Sequence, residues 1–353
     1  SDFNVGELFP GTERIGKISS DANIKGSINA NKEIAATTKG VVHNIEINNY
    51  NYQNIQIDGF LTENTYDGFL SISDTNIEVD FQGGIDFSKE IPNFNFIASV
   101  PITNLYGLNI DKNDSTSQLA FEISANFEGI NLDDIVGEVN FNKAKIRKLN
   151  TDLIFDTLKL VSHQEADTQK IELISDYIDA LLVGNYKPST LIQSIKNLYF
   201  NYLPDLIKNP TDTIQLEFDN SFKLNLELKE TNLLSRFFIP NVYFASNSTF
   251  DLSFDDHSKS LQIKAHSNEI KYKNHTFKDI TTNTFSNDSI FTVFTKCNSF
   301  LLNNYFELEN FKTTTLTNRN NIDLKIDWNN NDTTEYEGKI LASTHIKQKE
   351  PFG

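Results

Sequence analysis

Apolar residues recur at every second position through much of this chain, and that spacing constrains the fold more than any other feature. Leu119, Phe121, Ile123, Ala125 and Phe127 follow it, as do Phe222, Leu224, Leu226 and Leu228. So do Phe250, Leu252 and Phe254, then Leu261, Ile263 and Ala265, then Ile322, Leu324, Ile326 and Trp328. Earlier instances are Ile45 with Ile47, Ile55 with Ile57, Ile77 with Val79 and Phe81, and Ile85 with Phe87. A period of two places these side chains on one face of a sheet and the intervening polar residues on the other. Loop-forming residues separate the runs at Asn64–Gly68, Gly83–Gly84, Asp255–Ser258 and Asn329–Asp332. The gaps are too short for crossover helices, so the expected class is all-β, an antiparallel sheet built from meanders.

Two segments depart from the pattern. From Pro188 to Tyr202, Leu191, Ile192, Ile195, Leu198, Tyr199 and Tyr202 form a helical stripe, with Pro188 at the first turn and Pro204 beyond the end. A further turn is expected to reach Lys208. Thr231 to Phe237 is a second short helix, with Thr231 as its cap and Pro240 past its end. There is also an internal echo. Tyr50–Ile55 resembles Tyr272–Ile280, and Phe155–Leu160 is a fainter copy.

Composition narrows the function. The net charge of −17 disfavours nucleic acid and anionic membrane surfaces, both of which select Lys and Arg. Cys297 is the one cysteine, so no internal disulfide forms, and its apolar surroundings read as burial. The 353 residues contain no methionine, which reads as a piece of a longer chain whose targeting and anchoring segments lie elsewhere.

The search for chemistry nominates no catalytic residue. Phosphate-binding glycine loops and a nucleophile elbow are absent from the sequence. Asp111, Asn113, Ser115, Ser117 and Glu122 have calcium-loop spacing, but Thr116 stands where the sharp turn requires glycine. His163 and His257 sit in acidic loop clusters, while His266 and His345 fall on the polar phase of strands. No metal or cofactor is expected, and no enzymatic role. The informative load is aromatic: 28 Phe against one Trp. These rings fill either the core of a two-sheet sandwich, at about 10 Å spacing, or the inner wall of a groove open to an apolar ligand. Periodicity is the same in both cases.

A resemblance bears on that choice. Ser175-Asp176-Tyr177-Ile178-Asp179-Ala180-Leu181-Leu182-Val183-Gly184-Asn185-Tyr186 resembles the S-D-x-x-D-A-x-x-x-G-x-Y/F stretch of TamB-like translocation and assembly module proteins of Bacteroidota. Leu191 through Tyr202-Leu203-Pro204 resembles the helix that follows it there, with Ser194, Lys196, Asn197 and Leu198 matching. Ile85–Ser88 leading to Pro92–Phe96, then Leu105–Asn109 and Gly129–Gly137, are similar to further structural motifs of that family. The resemblance covers most of residues 11–240, is weaker afterwards, and extends to broader AsmA-like proteins.

The resemblance implies a long curled antiparallel sheet of repeating β-groove units. It implies a first groove segment over residues 1–186, a helical insertion over 187–210, and a second segment over 211–353 continuous with the first. The groove wall would comprise Ile77, Val79, Phe81, Phe94, Phe96, Leu119, Phe121, Ile123 and Phe127, then Leu216, Phe218, Phe222, Leu224, Leu226, Phe250, Leu252, Phe254, Ile263, Ile322, Leu324 and Ile326. Leu191, Ile195, Leu198 and Tyr202 would form a helical lid, or alternatively a gate over the groove mouth. The implied partners are phospholipid acyl chains, flanking β-groove segments and, through the parent chain, an outer-membrane Omp85-type barrel. The implied location is the periplasm, the parent being anchored in the inner membrane. The implied role is phospholipid carriage between the two membranes and support of outer-membrane protein assembly. Two other readings stand beside it: a β-sandwich adhesin or scaffold, and a glycan hydrolase, which requires a cleft with paired carboxylates.

Overall fold

A computed structural model describes residues 3–4, 15–28, 34–206, 218–330, 332–334 and 336–347. The chain is all-β and antiparallel, its described residues being 68% strand against 7% helix, as the period of two requires. It divides into two compact units, Ser1–Val161 and Ser162–Gly353.

The first unit contains β1 (Phe3–Asn4), β2 (Ile15–Ile28), β3 (Ile34–Ile47), β4 (Tyr50–Thr62), β5 (Thr65–Ser73), β6 (Ile77–Asp86), β7 (Asn93–Thr103), β8 (Gln118–Glu128) and β9 (Val136–Lys148). The unit boundary falls within β10 (Thr151–Glu165). From β1 to β9 each strand pairs antiparallel with the next. Gly83 and Gly84, expected at a turn, instead lie inside β6. Likewise the turn expected over Asn64–Gly68 occupies only Glu63 and Asn64, and β5 begins at Thr65.

Pairing aligns the apolar side chains into rows across the strands. One row runs Ile57–Leu70–Phe81–Ala98–Ile123–Phe141. The next runs Gly59–Gly68–Gly83–Phe96–Ala125–Val139. Three facing glycines leave a trough, and Tyr66 fills part of it. A Cβ on Gly59 would stand 2.9 Å from the Tyr66 ring, and the Tyr66 hydroxyl donates to the Phe69 carbonyl at 2.8 Å. Covering strand glycines with an aromatic ring restores the packing that they lack. Phe94 stacks on Phe127 at 4.6 Å, and Phe81 leans on Phe96 at 5.2 Å.

The second unit contains β11 (Thr168–Ser175), β12 (Ile178–Asn185), a 3₁₀ turn (Pro188–Thr190) leading into α1 (Leu191–Tyr202), β13 (Ser221–Leu228), α2 (Asn232–Phe238), β14 (Val242–Phe244), β15 (Ser248–Asp255), β16 (Ser260–Tyr272), β17 (His275–Ser286), β18 (Phe291–Leu302), β19 (Phe306–Asn318), β20 (Asn321–Asn329) and β21 (Glu337–His345). β13 pairs with β15, not with β14. β15 is shorter than β16, and β14 takes its place against the far end of β16, where Val242 faces Tyr272 and Phe244 faces Ile270. The strands join one meandering antiparallel sheet rather than two sheets stacked face to face.

Both expected helices form. Leu203 and Pro204 follow α1; Lys208, the expected end of a further turn, lies outside the described residues, as does Asn331 of the Asn329–Asp332 loop. Thr231 occupies the N-cap position of α2 but does not cap it, because its hydroxyl donates to the Phe244 carbonyl and ties the helix to β14.

The echo of Tyr50–Ile55 in the segment ending at Ile280 has a shared backbone feature, which Phe306–Phe311 also carries and the fainter Phe155–Leu160 does not. Tyr50–Ile55 aligns with His275–Ile280 and with Phe306–Phe311, each opening the second strand of a hairpin. The fifth residue of each copy is left-handed: Asn54 at φ 53°, Asp279 at φ 50° and Asn310 at φ 47°. Each bonds nineteen residues downstream, Asn54 Nδ2 to the Ser73 carbonyl, Asn298 Nδ2 to Asp279, and Asn310 Nδ2 to the Asn329 carbonyl. Asn and Asp tolerate this backbone region better than branched residues do. Apolar positions on either side are then three residues apart rather than two, as in Phe277 to Ile280, and the strand resumes in the same pairing register.

Candidate functional site

The apolar face of the second unit has a covered end and an open end. At the covered end, Leu198 and Tyr202 of α1 pack with Tyr186, Phe222, Phe254 and Leu261 into a buried hydrophobic cluster. Polar groups anchor the helix there. Ser194, fully buried, donates to Asp256 Oδ2 at 2.8 Å and accepts from Asn220 Nδ2 at 2.7 Å. The Tyr202 hydroxyl donates to the Asn287 carbonyl at 2.5 Å, and the Asn320 amide donates to the Tyr202 carbonyl at 2.8 Å. Burial raises the Tyr186, Tyr199 and Tyr202 phenols above their ordinary value. Leu191 and Ile195 pack against the same cluster, so all four residues expected in a lid lie in one apolar contact.

This arrangement corrects the expected groove wall at two residues. Phe222 and Phe254, at 5% and 1% exposure, are closed off beneath α1 and line no accessible surface. The alternation gave their face but not the helix that lands on it. Phe218 is half-buried just before β13, outside any strand, and Leu216 lies outside the described residues.

At the open end the face forms an apolar cavity of about 330 Å³. Leu226 and Leu228 of β13, Phe250 of β15 and Ala265 of β16 form its floor, while Phe244, Ile270 and Ile280 stand where β14 replaces β15. Two serine hydroxyls at its edge are engaged within the protein. Ser248 Oγ donates to Ser267 Oγ at 2.7 Å, and Ser267 donates to the Glu269 carbonyl at 2.8 Å. His266 turns to the opposite face, its Nε2 being 3.1 Å from Asp279. A volume of this size with carbon walls suits an alkyl chain or another compact apolar group. Leu226 and Phe250 are the expected groove residues that line it. Leu228, Phe244, Ala265, Ile270, Ile280 and Thr282 were not among them, although the in-phase positions of Leu228 and Ala265 carried the signal.

Leu224, Leu252 and Ile263 lie between the two ends, paired through Leu224–Leu252–Ile263. Ile322, Leu324 and Ile326 face Thr317, Thr315 and Thr313 on the same side of the sheet. In the first unit Ile77, Val79, Phe81, Phe94, Phe96, Leu119, Phe121, Ile123 and Phe127 share one half-buried face. A depression of that unit, about 640 Å³ around Gly84, has a mixed wall, with Asp67, Gln82, Asp86 and Asn95 beside Tyr66, Ile85 and Phe96.

The calcium-loop candidate and Cys297 have structural employment. Asp111 Oδ1 accepts from the Asn113 amide at 3.0 Å, while Glu122 lies in β8 and pairs with Lys143 at 3.1 Å, so calcium-loop geometry is not assembled. Among the described residues, no group of three or more His, Cys, Asp or Glu is placed to hold a metal ion, and no helix is long and apolar enough to cross a membrane. Cys297 is buried opposite Phe311, and burial, with the Asp279 charge, pushes its thiol up to about 11.

No family model matches the chain, and no curated protein or solved structure shows significant similarity to it.

Proposed function

We propose that this chain is a non-catalytic segment of a TamB/AsmA-like protein whose apolar sheet face shelters lipid alkyl chains. The observation that carries the reading is the 330 Å³ cavity at the open end of the second unit, with largely carbon walls and the Ser248 and Ser267 hydroxyls engaged within the protein. Apolar wall left facing water is unfavourable by about 25 cal/mol per Å², so a resident alkyl chain stabilises it. The one-sided sheet in each unit supports the same reading, since a guest can contact many equivalent rows and slide among them. In the parent protein this face would carry phospholipid across the periplasm between inner and outer membranes, joined to flanking groove segments and to an Omp85-type barrel, in support of outer-membrane protein assembly.

Native mass spectrometry of the purified chain, with Nile red binding as a second readout, tests the proposal. Phospholipid adducts and saturable dye binding are expected, and Ala265→Trp, which fills the cavity floor, should abolish the dye signal. A wild-type chain that carries no lipid and binds no dye would refute it.

A further inference from the structure

The cavity borders a row of hydroxyls. Its Thr282 pairs across β17 and β18 with Thr295, and Thr295 pairs across β18 and β19 with Thr313. The row continues from Phe250 and Ala265 on one side to Ile326 on the other, so three threonines interrupt an apolar line on one face. Thr282 Oγ1 lies 3.1 Å from Thr295 Oγ1. Two hydroxyls sharing one mutual bond retain one donor hydrogen and free acceptor lone pairs. The basic residues next to this row, Lys296 and Lys312, pair with each other at the alternate positions and so belong to the opposite face. The row therefore offers hydrogen bonds without a cation.

We infer that the cavity selects an amphiphile whose alkyl chain ends in an uncharged ester or hydroxyl group. The chain would lie among Leu226, Phe250, Ala265 and Ile280, with the oxygens on Thr282, Thr295 and Thr313. A carboxylate or phosphate placed there would be desolvated beside apolar wall with no opposing charge, which is costly. The acidic balance of the chain acts in the same direction. This inference rests on the alkyl-chain reading above and adds the polar group that accompanies the chain.

Displacement of Nile red from the intact chain tests it, with dodecanoyl monoglyceride, dodecanoyl lysophosphatidylcholine and dodecanoate as competitors at a pH well above the carboxylate range. The monoglyceride should outcompete dodecanoate by about tenfold, the equivalent of one or two hydrogen bonds plus the avoided charge burial. Thr282→Val with Thr295→Val and Thr313→Val should erase that preference, since valine keeps the shape and favours strands but offers no hydrogen bond. A lysophosphatidylcholine that competes like the monoglyceride identifies the ester of a membrane lipid as the source; one that competes poorly identifies a free neutral amphiphile. Equal or better competition by dodecanoate, or a preference that survives the triple substitution, overturns the inference while leaving alkyl binding in place. A wild-type chain that binds no dye refutes both readings.

Discussion

Whether α1 is a structural lid or a movable gate is decided by what its buried face contributes to stability. Leu198 is 4% exposed and packs with Tyr186, Tyr202, Phe222, Phe254 and Leu261. Aromatic rings on several sides resist collapse into the space that a truncation leaves. Leu198→Ala should therefore cost about 3 kcal/mol, within the 2–5 kcal/mol seen for buried leucine truncations. For a unit of this size that lowers the melting temperature by roughly 6–12 °C. Ile192, on the same helix but 70% exposed, is the internal control, and Ile192→Ala should stay within about 0.5 kcal/mol. Urea unfolding followed by the strand circular-dichroism signal measures both, with the slope against denaturant unchanged if the same surface is exposed. A Leu198→Ala loss below about 1 kcal/mol, accompanied by a change in Nile red occupancy, would refute the lid and make α1 a gate.

Three further outcomes follow from other sites. Asn54→Val should destabilise by about 1–2 kcal/mol, because a branched side chain resists the left-handed region and the bond to the Ser73 carbonyl is lost; Asn54→Gly should cost little, and thermal melts compare the two. Hydrogen bonds from Arg147, and then from Lys145, hold the Asp152 carboxyl well below its ordinary value, so its stabilising effect is complete at neutral pH and is lost as pH falls below the usual carboxylate range; melting temperature against pH should be flatter on the acid side for Asp152→Asn. The phenols of Tyr186, Tyr199 and Tyr202 are raised by burial, so their contribution is complete below the ordinary tyrosine value and lost above it; alkaline titration should unfold the second unit, and Tyr202→Phe should lessen that sensitivity at a cost of about 1 kcal/mol for its bond to the Asn287 carbonyl.

The difference between what the residue pattern announces and what it conceals has a physical origin. Which face a side chain occupies is a local property, fixed by the two-residue pleat, so Leu119 to Phe127 and Phe250 to Phe254 are placed correctly from spacing alone. What covers a face is not local. Phe222 and Leu226 stand on one strand in the same phase, yet one is sealed under α1 and the other borders the cavity. Their difference depends on a helix from an earlier segment and on β14 displacing β15, contacts that no period encodes. The left-handed residues add a second obstacle. Asp279 and Asn310 shift the phase of β17 and β19, so Thr282 and Thr313 follow Ile280 and Phe311 onto the apolar face while counting as polar in any alternation. A signal for them existed in the repeat itself: an Asn or Asp at the fifth position of each copy, bonded nineteen residues downstream. The phase change common to the three copies places those hydroxyls on the inner row. A threonine on that row then has two consequences, the branched carbon that suits a strand and the hydroxyl that gives an otherwise apolar cavity a means of choosing its guest.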